Sequence, residues 1–349
     1  MTLTRNHLEE RYRNILSDRE IDRPDNLKEK SGKSWWKTIL RIVITVALFV
    51  FLLKSVSWIL LFQTLKHLRY DMFLLGLVAG VVCILFSAYG WRTLILAEHI
   101  RYDLARLIHL YLIGMAFSHF LPTNMGGDAI KAFYVGRESA NMAGATSTVL
   151  MSRVTSFLGM LLIALPGLLI LHREFSVSTI TWFLVLSLLL IMAITSTIAV
   201  AAILPAVSTR FLKHAWSNTK TFNTIISVSD AMRAVSKRPA ALGGAVVFGM
   251  LFWIASFANY YGYAMALNMH VPFSFYVVAI PLVSIVAALP ISINGFGVRE
   301  GAFVYIFSTI HVPTTTSLLL VLLMDAQVFF FGLIGGCIYL SMGLRGQVK

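Results

Sequence analysis

Two short segments of this chain place acids, bases, glycines and a proline inside otherwise apolar sequence. The first reads Phe120-Leu-Pro-Thr-Asn-Met-Gly-Gly-Asp-Ala-Ile-Lys131 and the second Ala288-Leu-Pro-Ile-Ser-Ile-Asn-Gly-Phe-Gly-Val-Arg-Glu300. In each, a glycine (Gly127, Gly295) stands five residues after the proline (Pro122, Pro290), and a base (Lys131, Arg299) stands nine residues after it. Paired Gly/Pro-interrupted segments in two halves of a membrane chain point to a midplane binding site. A broken helix presents free amide N–H groups at its new N-terminus, and these attract anions. A cation such as Arg299 in that first turn is unfavourable alone and fits a shared anion, for instance a lipid phosphate. The structural alternative is that the glycines permit close packing and the prolines kink helices.

Further ionisable groups lie within apolar runs. Arg153 sits in Met151-Ser-Arg-Val-Thr-Ser, and Asp325 in Leu322-Leu-Met-Asp-Ala-Gln, while Asp128 and Glu300 sit at the two tips. Such groups are costly in lipid and face a protein interior or a wet cavity. The predicted headgroup-binding set is Lys131, Arg153 and Arg299 with Asn124, Gly126, Gly127, Asn294, Gly295 and Gly297. Asp128, Glu300 and Asp325 would balance that charge or carry a coupling proton, and Pro122 and Pro290 would act as hinges. The competing reading is structural pairing, such as Arg153 with Asp128. His109 and His119 read as packing residues without zinc-like spacing. Tyr260, Tyr261 and Tyr263 read as an interfacial aromatic belt, and Phe329 to Phe331 as lipid-facing or core packing.

The elements holding these residues follow from composition. Of 349 residues 58% are hydrophobic and only 13% charged, with mean hydropathy +0.77, against about 25% charged for a soluble domain. Lipid must solvate most of the chain. Residues 1–37 hold seven of the sixteen acids and read as a cytosolic tail ending in Lys28, Lys30, Lys33 and Lys37 beside Trp35 and Trp36, an interfacial anchor. The net charge of +13 then belongs to membrane-flanking bases, and a nucleic-acid partner is not expected. Cys83 and Cys337 lie in apolar runs and offer no disulfide framework. No cofactor or metal is expected. The first apolar run, near Thr38, reads as a retained helix and not as a cleavable signal.

Runs long enough to span, roughly 20 residues, occur near 38–57, 71–92, 142–171, 178–204, 239–267 and 313–344. Runs 104–121 and 273–289 each reach a proline and a glycine cluster, then shorter apolar pieces at 129–136 and 298–311. Loop 205–238 carries Arg210, Lys213, Lys220, Arg233, Lys237 and Arg238 against Asp230 alone and reads as cytoplasmic. Counting from it, 104–141 starts and ends inside, and 273–311 starts and ends outside. Lys54, Lys66 and Arg69 conflict with that count. The predicted fold is all-α: a polytopic helical bundle of two inverted-topology halves, each with a broken or re-entrant hairpin (104–141, 273–311). It comprises a tail at 1–37, a membrane domain at 38–344 and a cytosolic end at 345–349, in the cell membrane with both termini cytoplasmic.

The Pro-x-x-x-Gly-Gly-Asp-x-x-Lys element, the intramembrane Arg that follows it and the Gly-Phe-Gly-Val-Arg-Glu-Gly element resemble the lysylphosphatidylglycerol synthase transmembrane region family, also called flippase-like or UPF0104 proteins. The resemblance covers roughly 38–344 and falls on Pro122, Gly126, Gly127, Asp128, Lys131, Arg153, Gly295, Gly297, Arg299 and Glu300. Lys131 stands where many relatives carry Arg, and it cannot grip a phosphate bidentately. In bifunctional members this unit is the flippase half, followed by a soluble aminoacyl-transferase domain. The chain stops at Lys349 without one, so lysyl transfer is not implied. Stand-alone relatives carry labels that suggest amphipathic lipid substrates. The expected function is movement of an anionic or lipid-linked amphipathic substrate between leaflets, with membrane lipids and envelope-biosynthesis enzymes as partners. The alternatives are a transferase acting on a polyprenyl-phosphate-linked sugar and a non-catalytic subunit of an envelope-lipid enzyme. Against the transferase, no Asp-Asp or Asp-x-x-Asp pair that could hold magnesium follows residue 37.

Overall fold

The computed structural model describes residues 66–120, 126–171, 175, 177–207, 220–289, 292 and 295–344. The first apolar run, the tail, and Pro122, Asn124, Pro290 and Asn294 lie outside the described residues. The described residues form ten α-helices: α1 (Tyr70–Ala97), α2 (Leu104–Phe120), α3 (Gly126–Glu138), α4 (Met142–Leu171), α5 (Val177–Val207), α6 (Lys220–Ser236), α7 (Pro239–Ala266), α8 (Phe273–Ala288), α9 (Val298–Ser308) and α10 (Thr314–Leu344). Five of them, α1, α4, α5, α7 and α10, are long and apolar enough to cross a membrane. The chain is a multi-pass, all-helical membrane protein.

The order long helix, two short helices, long helix occurs twice, as α1–α4 and as α7–α10. Both copies open with 28-residue helices and close with helices of 30 and 31 residues. Even the turns recur. His99 and Asn268 each stand two residues past the first helix of their copy, with φ 57° and 56°. Ala140 and His311 leave the second short helix at φ 52° and 63°. Left-handed backbone at non-glycine residues is uncommon, so its recurrence marks a structural repeat that side-chain identity conceals.

The short helices pair into hairpins. In the first, the Gly127 N–H donates to Ser118 Oγ at 3.2 Å, and further from the tip Arg106 bonds Glu138 at 3.1 Å. These contacts set α2 antiparallel to α3. In the second, Gly295 closes on Ala287 while Phe307 packs edge-on to Phe275 at 5.1 Å. At ~1.5 Å per residue, the 17 residues of α2 and the 11 of α9 fall short of a hydrocarbon core of roughly 30 Å.

Small residues let the two copies approach. Helices α1 and α7 lie antiparallel, with a Cβ on Gly262 meeting Gly76 Cα at 2.9 Å. Gly249 presses on Ser156 Cα of α4 at 3.0 Å, and in the other copy Gly80 presses on Gln327 of α10. Asn259 donates to Gly76 O and to Gln327 Oε1, the latter at 3.0 Å, which ties α1, α7 and α10. Without a hydrophobic drive between helices in lipid, such close packing and buried amide bonds hold the bundle. The hairpins cross over: α2 packs on α10, and α8 on α4.

One expectation changes here. Tyr263 is 1% exposed and rests on Phe73, Tyr261 packs on Tyr276, and Tyr260 stacks on Phe303 at 5.7 Å. These rings fill the core between α7 and its neighbours, α1 for Tyr263 and the second hairpin for Tyr260 and Tyr261, and do not form an interfacial belt. The basic loop 205–238 contains α6, whose Met232 and Val235 are buried against Leu94, Met151 and Ala245, so it is packed onto the bundle. Phe329 and Phe330 are half-exposed, whereas Phe331 is buried.

Candidate functional site

Each hairpin tip delivers an acid at the third residue of its second helix, Asp128 in α3 and Glu300 in α9. That is where a carboxylate meets the free N–H groups and positive end of the helix. In α9 the interaction is explicit: Glu300 accepts from the Gly297 N–H, and Gly297 has φ 82°, as Gly295 has 75°. Only glycine adopts such backbone without strain, which accounts for both glycines of the second motif.

Around Asp128 two cations gather. Lys131 Nζ lies 2.6 Å from Asp128, and Arg153 reaches the same carboxylate from α4. Lys131 also faces the rings of Tyr111 at 4.1 Å and Trp91 at 5.5 Å, so aromatic faces share its charge. The cluster Asp128, Lys131 and Arg153 sums to one net positive charge. It borders a cavity of about 280 Å³ lined also by Ser87, Ser118, Ser152 and Trp253. Lys131 is nearly enclosed at 9% side-chain exposure, but Arg153 retains 39%, so a molecule in the cavity meets the guanidinium directly.

Around Glu300 the balance is reversed. Arg299 bonds Glu300 at 3.0 Å and also holds Asp325 of α10. Its guanidinium stands 5.7 Å from the Phe296 ring. Glu300 is wholly buried. With both carboxyls ionised, two carboxylates on one guanidinium give one net negative charge. Arg299 therefore has its anions from the protein itself, and it is not among the residues lining the cavity at the first tip.

The structure thus splits the residues singled out by sequence into two clusters instead of one. Gly126 and Gly127 belong to the first. A Cβ on Gly127 would strike Gly114 O and Ser118 Oγ, so this glycine is where the hairpin closes. The matched spacing of Lys131 and Arg299 does not survive folding: α3 begins four residues after Pro122, and α9 eight residues after Pro290. The bases therefore stand at different depths in their helices, and the acids are the equivalent pair. Pairing of Arg153 with Asp128, the structural alternative, is present, and it leaves the cluster cationic. Sequence reading missed Trp91, Tyr111 and the cavity serines. Aromatic and hydroxyl residues within apolar runs carry no signal separating a cavity wall from ordinary packing. Among the described residues no group of His, Cys, Asp and Glu is placed to hold a metal.

No curated protein and no solved structure matches the chain. The sequence model of the lysylphosphatidylglycerol synthase TM region matches residues 38–336, a span that includes both tips, Arg153 and Asp325. With the two broken hairpins and their charged clusters set in an all-helical bundle, the chain belongs to the lysylphosphatidylglycerol synthase TM region family.

Proposed function

We propose that the protein moves an anionic, phosphate-bearing lipid between leaflets, taking the headgroup into the cavity at the first hairpin tip. The observation that carries this reading is the net positive Asp128–Lys131–Arg153 cluster on the wall of a cavity of about 280 Å³. An excess charge within the bilayer is costly, and an anionic headgroup relieves it. The cavity is at the lower end of the range for ligand sites, which favours a compact headgroup over a long glycan. The lipid tails remain in the bilayer. On this reading the two hairpins enter from opposite faces, and the basic flanks of α6 favour a cytoplasmic side for it and for both termini, in the cell membrane. Enzymes that make or consume the lipid are the fitting partners.

The test is lipid movement by purified protein in liposomes, using headgroup-labelled anionic lipids and a polyprenyl-phosphate, with and without a proton gradient. Arg153→Ala removes one charged contact, and a 10- to 100-fold loss of rate is expected, roughly the value of a charge-assisted hydrogen bond. Equal rates for wild type and Arg153→Ala, or no movement of any of these lipids by folded protein, overturn the reading.

A further inference from the structure

The two charged clusters are the same construction with its signs exchanged. The acid at the third position of the short helix is followed, 25 residues on, by a charged residue of the next long helix. In the first copy this is Arg153 after Asp128, and in the second Asp325 after Glu300. Substituting an acid for the base turns an anion-attracting cluster into one that carries an extra carboxylate with no second cation. Glu300 Oε1 and Asp325 Oδ1 both accept from the same guanidinium nitrogen of Arg299, so two buried carboxyls converge on one cation. Two carboxylates held this close repel each other, and a proton on one of them relieves that repulsion.

We propose that Glu300 and Asp325 bind a single exchangeable proton between them, which makes the second tip the proton site that answers the anion site at the first. The titratable and charged groups facing the pair are Arg299 on α9 and Tyr260 on α7, and Cys83 on α1 faces Tyr260. Arg299 neutralises one carboxylate, and the proton neutralises the other. Glu300 spends its oxygens on the Gly297 N–H and on Arg299, so Asp325 is the member that takes up the proton. The proton comes from water and returns to it, and no bond to carbon changes.

The two sites share two supporting helices. Ser87 of α1 lines the cavity at the first tip, and Gly80 of the same helix abuts Gln327, two residues from Asp325. On α7, Phe252 lines the cavity while Tyr260 faces the acidic cluster. Seven or eight residues of helix separate the members of each pair, about 10–12 Å at the usual rise. Exchange of this proton for lipid rests on the transport reading above, but proton binding does not.

The experiment is infrared difference spectroscopy of the full-length protein in lipid nanodiscs between about pH 5 and about pH 9, with no lipid substrate added. One protonated-carboxyl C=O band that titrates is expected, lost in both Asp325→Asn and Glu300→Gln and retained in Asp128→Asn. Absence of a titrating carboxyl band from the wild type, or its survival in both amide variants, overturns the proposal. If neither amide variant folds, Asp325→Glu keeps the acid and displaces it. A changed titration midpoint then supports the pair, and an unchanged one refutes it. Lipid movement can fail while the band is present, so the two readings fail separately.

Discussion

Asp128 and Glu300 occupy the same position, the third residue of the second short helix, in the two copies of one repeated arrangement. Each is bonded into a cluster completed by the long helix that follows, through Arg153 and, by way of Arg299, through Asp325. The backbone is repeated and the electrostatics are reversed. The predictions below follow from that relationship and from the packing that supports it.

Asp128 is bonded to both Lys131 and Arg153. Asp128→Asn leaves the nearly enclosed Lys131 unpaired, and a loss of about 3–5 kcal/mol is expected, the cost of breaking a buried pair, read as a lower melting temperature in detergent. Adding Lys131→Met removes the orphaned charge, and stability should recover while lipid movement does not.

Two glycines of the motifs differ in what they do. Gly127→Ala sets a methyl group against Gly114 O and Ser118 Oγ and should destabilise the protein by about 1–3 kcal/mol through overpacking. Gly301→Ala meets nothing within 4 Å. It should be neutral or stabilise by up to roughly 1 kcal/mol, since alanine is the better helix former. Thermal unfolding of the two variants side by side checks the contrast.

Arg101 and His270 lie in the turns at opposite ends of the antiparallel α1–α7 pair. After replacement of Cys83 and Cys337, Arg101→Cys should react with a membrane-impermeant thiol reagent from one side of the membrane only, and His270→Cys only from the other. Labelling of both from one side contradicts the repeat as a pair of inverted halves.

Glu98 caps the end of α1 beyond the membrane span. Burial raises the proton affinity of its carboxyl, outweighing the opposing pull of Arg238, His99 and Asn141, and its Oε1 has no partner among the described residues. A carboxyl with a raised folded value contributes stability that is fully present below its ordinary value of 4.5 and is lost as pH rises through the folded value. Melting temperature should therefore fall across that window in the wild type. The slope should flatten in Glu98→Gln, which keeps the shape and cannot ionise. An unchanged slope contradicts the assignment.

Much of this architecture was legible in the sequence, because lipid imposes simple rules. A run of about 20 apolar residues has few options but a spanning helix, so α4 matches the predicted 142–171, and α5, α7 and α10 fall within a few residues of their runs. The proline and glycine clusters marked both hairpin tips, since non-helical backbone at membrane depth needs such residues. The rarity of charge in lipid singled out Asp128, Lys131, Arg153, Arg299, Glu300 and Asp325. Which of these meet was decided by tertiary structure alone. Spacing from the prolines aligned Lys131 with Arg299, but the short helices start at different distances from those prolines, and that offset aligned Asp128 with Glu300 instead. The partition into a cationic cluster and an anionic one depends on which long helix lies beside each tip, a contact no local pattern encodes. The cavity beside Arg153 has the same origin: Ser87, Tyr111 and Trp253 became its walls only when three helices, each apolar by itself, were packed together.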